Sequence, residues 1–179
     1  MGIRAEKSGA RIMGYWARDL RAFLNSVGGD RLVLLGVGNP IKGDDSVGLF
    51  IAGRLRGLLG SSPRLSVQTA AAHPESALSK VDLESSRLLI FDAVEAGGPA
   101  GSIVMANVGE TQYGFFATHN FPLRLMPSIA GHYEKVSVLG VEPGGLGIGE
   151  SLTPVVRDSA ETVVSEVERQ LRKSGDLLG

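Results

Sequence analysis

The sequence predicts a three-layer α/β/α sandwich around a mostly parallel, mixed sheet of about five strands. Two patterns carry that prediction. Short apolar runs recur along the chain, at residues 32–37, 65–69, 87–92 and 135–141, each bounded by glycine, proline or charged residues. Between them lie segments whose apolar residues repeat every three or four positions, the period of a helix with one buried face. Strands alternating with helices make a parallel sheet covered on both sides.

Residues 1–30 form a predicted N-terminal helical extension to a single domain over 31–179. Ile12, Tyr15, Trp16, Leu20, Phe23 and Leu24 fall at helical spacing, and the stretch NSVGGD closes the helix. Such a helix packs on the body or offers the only Trp to a partner. Residues 32–37 are apolar on both faces, as a central strand requires. Gly36 and Gly38 turn the backbone at its end, Pro40 stiffens the exit, and Asp44 and Asp45 open the next helix. That helix spans 46–59 on Val47, Ile51, Leu55 and Leu58, and Gly60 to Pro63 stop it. Residues 65–69 read as a strand, 75–81 as a short helix and 87–92 as a buried strand ending in Asp92. After the turn at GGPAG, residues 102–108 are extended and suited to a hairpin. Residues 122–129 read as helix, 135–141 as strand and 144–149 (GGLGIG) as a flexible loop. A closing helix over 153–173 carries Val156, Ala160, Val163, Val164, Val167 and Leu171 on one face.

Composition removes whole classes of function. The net charge is −1 over 179 residues, so nothing global points to nucleic acid or an acidic membrane surface. No apolar run approaches the roughly 20 residues of a membrane span. Charges interrupt residues 1–24, so no signal-type segment is visible and a cytoplasmic protein is expected. Cysteine is absent, which excludes disulfides, thiolate metal sites and cysteine nucleophiles together.

Three side chains stand out as candidates. Asp45 and Asp92 each follow a buried strand, and in a parallel sheet such residues meet at the carboxyl edge, where ligands bind. His119 lies in a polar break, ATHN, within reach of that edge. Two carboxylates and an imidazole form a half-shell for a divalent ion with positions left for substrate. Each also has a structural reading: an acid at a helix start caps it, an acid at a strand end accepts loop N–H bonds, and a lone histidine is an ordinary hydrogen-bonder. His73 and His132 read as surface or loop residues. A dinucleotide site fails, because Ile41 stands where the third glycine of G-x-G-x-x-G belongs, the second strand ends in Thr69, and Asp44 and Asp45 would oppose a pyrophosphate.

Residues 37–48, VGNPIKGDDSVG, resemble the G-N-x-x-x-x-D-[DE]-x-x-G signature of the hydrogenase maturation proteases. These are cytoplasmic endopeptidases that trim the C-terminus of the nickel–iron hydrogenase large subunit. LLIFDAV at 88–94 is similar to the family's strand ending in Asp-Ala. THNFPL at 118–123 is similar to the histidine segment of the hydrogenase-3-processing branch, and LGVEP at 139–143 with LTP at 152–154 fits the last third. The resemblance spans 31–173. It implies that Asp45, Asp92 and His119 are the site residues and bind nickel, that this nickel arrives in the large-subunit precursor and is not a resident cofactor, and that Gly38 and Asn39 shape the loop beneath. Asp44 is then the helix cap or a supporting residue behind Asp45. Thr69, Ala70 and Ala71 replace the family's Asp-Gly-Gly, which changes that loop's contacts. A different metal-dependent hydrolase on the same sheet, or a non-catalytic chaperone that inspects the metal centre, are the competing readings.

Overall fold

A computed structural model describes residues 15–71, 73–109 and 123–178. In chain order these form α1 (Trp16–Ser26), β1 (Arg31–Val37), α2 (Val47–Leu59), β2 (Leu65–Ala70), α3 (Pro74–Leu78), β3 (Ser86–Ala93), β4 (Ile103–Asn107), β5 (Val136–Val141) and α4 (Pro154–Ser174). A 3-10 turn, Gly43–Ser46, precedes α2, and two more, Leu123–Ile129 and Tyr133–Lys135, lead into β5. The strands lie in the order β2-β1-β3-β5-β4. All pairs are parallel except β4 with β5. The predicted mixed α/β architecture is therefore the observed one.

Alternation along the strands divides the core. Leu32, Leu34, Leu89, Phe91, Leu139 and Val141 face one layer, made by α1, α2 and α4. Val33, Leu35, Leu88, Ile90 and Val138 face the other, with Leu78 of α3 and Ile129. Helix α1 buries Leu20, Phe23 and Leu24 in the first layer. Its Ala17 carbonyl accepts a 2.9 Å bond from Gln170 Nε2 of α4.

Two glycines set how closely α2 approaches the sheet. A Cβ on Gly36 would lie 2.2 Å from the Gly48 carbonyl oxygen, and one on Gly48 would lie 2.1 Å from that of Phe91. Only hydrogen fits between helix and strands here. The contact holds the start of α2, and the acids before it, against the carboxyl edge of the sheet.

Two expectations change. The 102–108 segment forms β4 but makes no hairpin with β3, because β5 takes the neighbouring edge of β3 and separates the two. Bonds from Gly101 N–H to the Glu142 carbonyl and from Glu142 N–H to Ser102, both 2.8 Å, tie β4 to the end of β5 instead. Of the helix expected over 122–129, Leu123–Ile129 forms a 3-10 stretch with Pro127 inside it, since proline removes a donor from the α ladder. No helix among the described residues is long and apolar enough to cross a membrane.

Candidate active site

Strand β1 pairs with β2 on one side and β3 on the other, so the strand order reverses between β1 and β3. In open α/β sheets that switch point opens a crevice at the carboxyl ends. A cleft of about 590 Å³ lies there, and Asp45 and Asp92 both line it. Gly36 pairs with Phe91, which brings the ends of β1 and β3 level. The structure thus joins the two carboxylates singled out in the sequence.

The loop under Asp45 is closely built. Gly38 has φ of 151°, and a Cβ there would sit 2.0 Å from the Asp45 carbonyl oxygen. The Asn39 N–H donates to that oxygen at 3.1 Å, while Asn39 Oδ1 accepts from Ile41 N–H at 3.1 Å. The Asp45 N–H donates to Lys42 at 2.8 Å. These bonds fix the backbone of Asp45, which is half-buried and lines the cleft. Asp92 is only 7% exposed, and its Oδ1 accepts from Ala93 N–H at 2.9 Å.

Asp44 does a different job from its neighbour. It is fully buried. Its Oδ2 accepts from Gly144 N–H and Gly145 N–H, each at 2.8 Å, and from the Thr153 hydroxyl at 2.9 Å. Its Oδ1 accepts from Thr153 N–H at 2.6 Å. Asp44 does not cap α2, whose N-cap, Ser46, makes no side-chain capping bond. It serves the start of α4 instead, where the helix dipole favours an anion. The supposedly flexible 144–149 loop is correspondingly tied down.

Glu142 and Glu95 are the acids that sequence reasoning passed over. Glu142 is 7% exposed and its Oε2 accepts from Ala96 N–H at 2.7 Å and Gly98 N–H at 3.3 Å. It thereby shapes the loop carrying Glu95, which lines the cleft. The signal existed: Glu142, like Asp92, is an acid at the carboxyl end of a buried strand.

His119 lies outside the described residues, so its relation to the two acids is not part of the structure. Among the described residues no three His, Asp or Glu side chains converge as a metal-holding group. Asp45, Asp92 and Glu95 make the cleft acidic, with Lys42 the cation on its lining. Such a lining is chemically suited to a cation, with oxygen donors from β3, the loop after it and the turn before α2. His73 is exposed and bonds Glu75 at 3.2 Å; His132 sits 3.6 Å from Glu84; neither lines the cleft.

No protein-family model matches the chain. It is 30% identical over 141 residues to the hydrogenase 3 maturation protease of Escherichia coli, covering 76% of this chain and 88% of that protein. The chain belongs to the hydrogenase maturation protease family. A putative maturation protease of Methanocaldococcus jannaschii is 24% identical over 122 residues, covering 63% of this chain and 72% of that one. Two solved structures show the same fold in this protease family. The [NiFe] hydrogenase maturation protease HycI of Thermococcus kodakarensis superposes with a TM-score of 0.69 at 26% identity, covering 83% of this chain and 98% of that one. The solution structure of the E. coli endopeptidase HycI gives 0.64 at 29%, covering 78% and 90%. This maturation protease is accordingly an endopeptidase, and the cleft at its switch point is the candidate active site.

Proposed function

We propose that this protease removes the C-terminal extension of a nickel-loaded hydrogenase large-subunit precursor, binding the precursor's nickel through Asp45, Asp92 and His119. The observation that carries the reading is the convergence of Asp45 and Asp92 on one cleft at the β1–β3 switch point, in a chain of this family. Carboxylates suit a transient contact with nickel, since thiolates on the enzyme would compete with the precursor's own metal ligands. Cysteine is absent from this chain.

In this reading the nickel is part of the substrate, and holding it fixes where the precursor chain crosses the cleft. Positioning of this kind converts recognition into cleavage at one bond. Hydrolysis adds water across that peptide bond, leaving a carboxylate on the matured subunit and an amine on the released peptide. The acidic lining, fixed by the bonds beneath Asp45 and Asp92, orients the ion against the scissile carbonyl. The reading puts the reaction in the cytoplasm, the compartment the family resemblance implies.

The decisive experiment mixes the purified protein with precursor, with and without nickel, and follows precursor mass. A drop in mass only for the nickel-loaded precursor is expected. Cleavage independent of nickel, or tight stoichiometric zinc in the enzyme, would overturn the reading in favour of a conventional metallopeptidase. Binding without cleavage would favour an inspecting chaperone.

A further inference from the structure

One rim of the cleft is apolar and exposed. Ile41, Leu146 and Ile148 are 58%, 46% and 77% exposed. Ile41 and Leu146 line the same cleft as Asp45 and Asp92. Single exposed apolar residues need no explanation, whereas several on adjoining segments at a binding cleft mark a contact surface.

The rim is held in place. Lys42 and Ile148 form an antiparallel bridge, and Gly149 N–H donates to the Ile41 carbonyl at 2.8 Å. Behind it, Asp44 N–H donates to the Gly145 carbonyl at 2.9 Å, and Asp44 Oδ2 accepts from Gly144 and Gly145. Leu146 and Ile148 stand two positions apart and are both exposed, so the segment presents them to solvent beside Ile41. Gly145 and Gly147 alternate with them, and a Cβ on either would meet only side-chain atoms, those of Glu150 and, at Gly145, Thr153.

We infer that Ile41, Leu146 and Ile148 form a specificity subsite that takes apolar side chains of the precursor beside its scissile bond, with that peptide extended along the rim. The inference rests on the proteolytic reading above. Two features favour a peptide as occupant. The rim is continuous with the carboxylate cleft through Ile41 and Leu146, and the Lys42–Ile148 bridge carries it on beside Ile41. A precursor peptide extended there sets alternate side chains on the apolar positions.

The test compares wild type with a Leu146→Ser/Ile148→Ser double variant on nickel-loaded precursor, reading kcat and KM from product mass. Both side chains are exposed, so thermal unfolding should match wild type. Loss of the apolar contact is expected to lower kcat/KM on the order of tenfold, carried by KM. Leu146→Met/Ile148→Val should restore it. A precursor whose apolar residues flanking the cleavage point are replaced by serine should lose the same factor with wild type and lose no more with the double variant. If wild type cuts and the double variant cuts equally well, the subsite is wrong while the protease reading stands. A fall in kcat at unchanged KM also overturns it. If wild type does not cut nickel-loaded precursor, the protease reading fails and the subsite falls with it.

Discussion

Asp44 receives both the N–H and the hydroxyl of Thr153, at 2.6 and 2.9 Å, across 109 positions of sequence. One buried carboxylate thus joins the turn after β1 to the N-cap residue of α4, and through Gly144 and Gly145 to the rim of the cleft.

Asp44→Asn is expected to destabilise the fold. The amide presents donors to at least one of the N–H groups that Asp44 satisfies, and a buried unsatisfied group costs about 1–3 kcal/mol. Denaturant unfolding should show a lower midpoint at unchanged slope. Proteolytic nicking of the 144–149 segment should rise in parallel.

Asp45→Asn should separate cleanly from its neighbour. Asp45 is half-buried and its carboxylate makes none of the cross-links that Asp44 makes, so stability should stay within about 0.5 kcal/mol of wild type. Processing of nickel-loaded precursor should be abolished. Normal trimming by this variant would remove Asp45 from the site.

Gly48→Ala tests the close approach of α2. The added methyl would sit 2.1 and 2.3 Å from the Phe91 and Val37 carbonyl oxygens, both backbone atoms. The helix must lift, at a cost of about 1–3 kcal/mol. Because Asp45 precedes α2 and Asp92 follows Phe91, lifting widens their separation. Activity per folded molecule should fall even at temperatures where the variant is fully folded, as judged by circular dichroism.

Glu166 links stability to pH. The Arg169 hydrogen bond is the main cause that holds its carboxyl below the ordinary 4.5, assisted by Gln170 and opposed by partial burial. A group with a depressed folded pKa adds stability above its unfolded value, and loses it as pH falls through the folded one. The contribution is present at neutral pH and disappears below the ordinary carboxylate range. Glu166→Gln should therefore lower the melting temperature across the neutral-to-alkaline limb without changing that limb's slope, and flatten the acid limb.

Much of the scaffold is legible from local pattern. The strand at 32–37 shows as an unbroken apolar run because both its faces are covered, and α4 shows as a stripe from Val156 to Leu171 because one face is. Burial of a short segment is written into its own residues. The pairing of β4 is not, since whether an extended segment meets β3 or β5 depends on which strand takes the edge of β3. Glu142 shares the strand-end signal of Asp92, yet nothing local says that it bonds Ala96 and Gly98.

The sequence by itself determined the α/β class, the family pattern, and the choice of Asp45 and Asp92 as residues at one edge of a parallel sheet. Only the tertiary structure decided what Asp44 supports. The family pattern sets Asp44 apart from Asp45 as a cap or a supporting residue, yet nothing local names the groups it bonds. Its surroundings do: Asp44 turns into the body, where four donors from Gly144, Gly145 and Thr153 neutralise the cost of burying a charge. Asp45 lines the cleft with Asp92. Those donors lie at least 100 positions away in the chain, and packing alone brings them together.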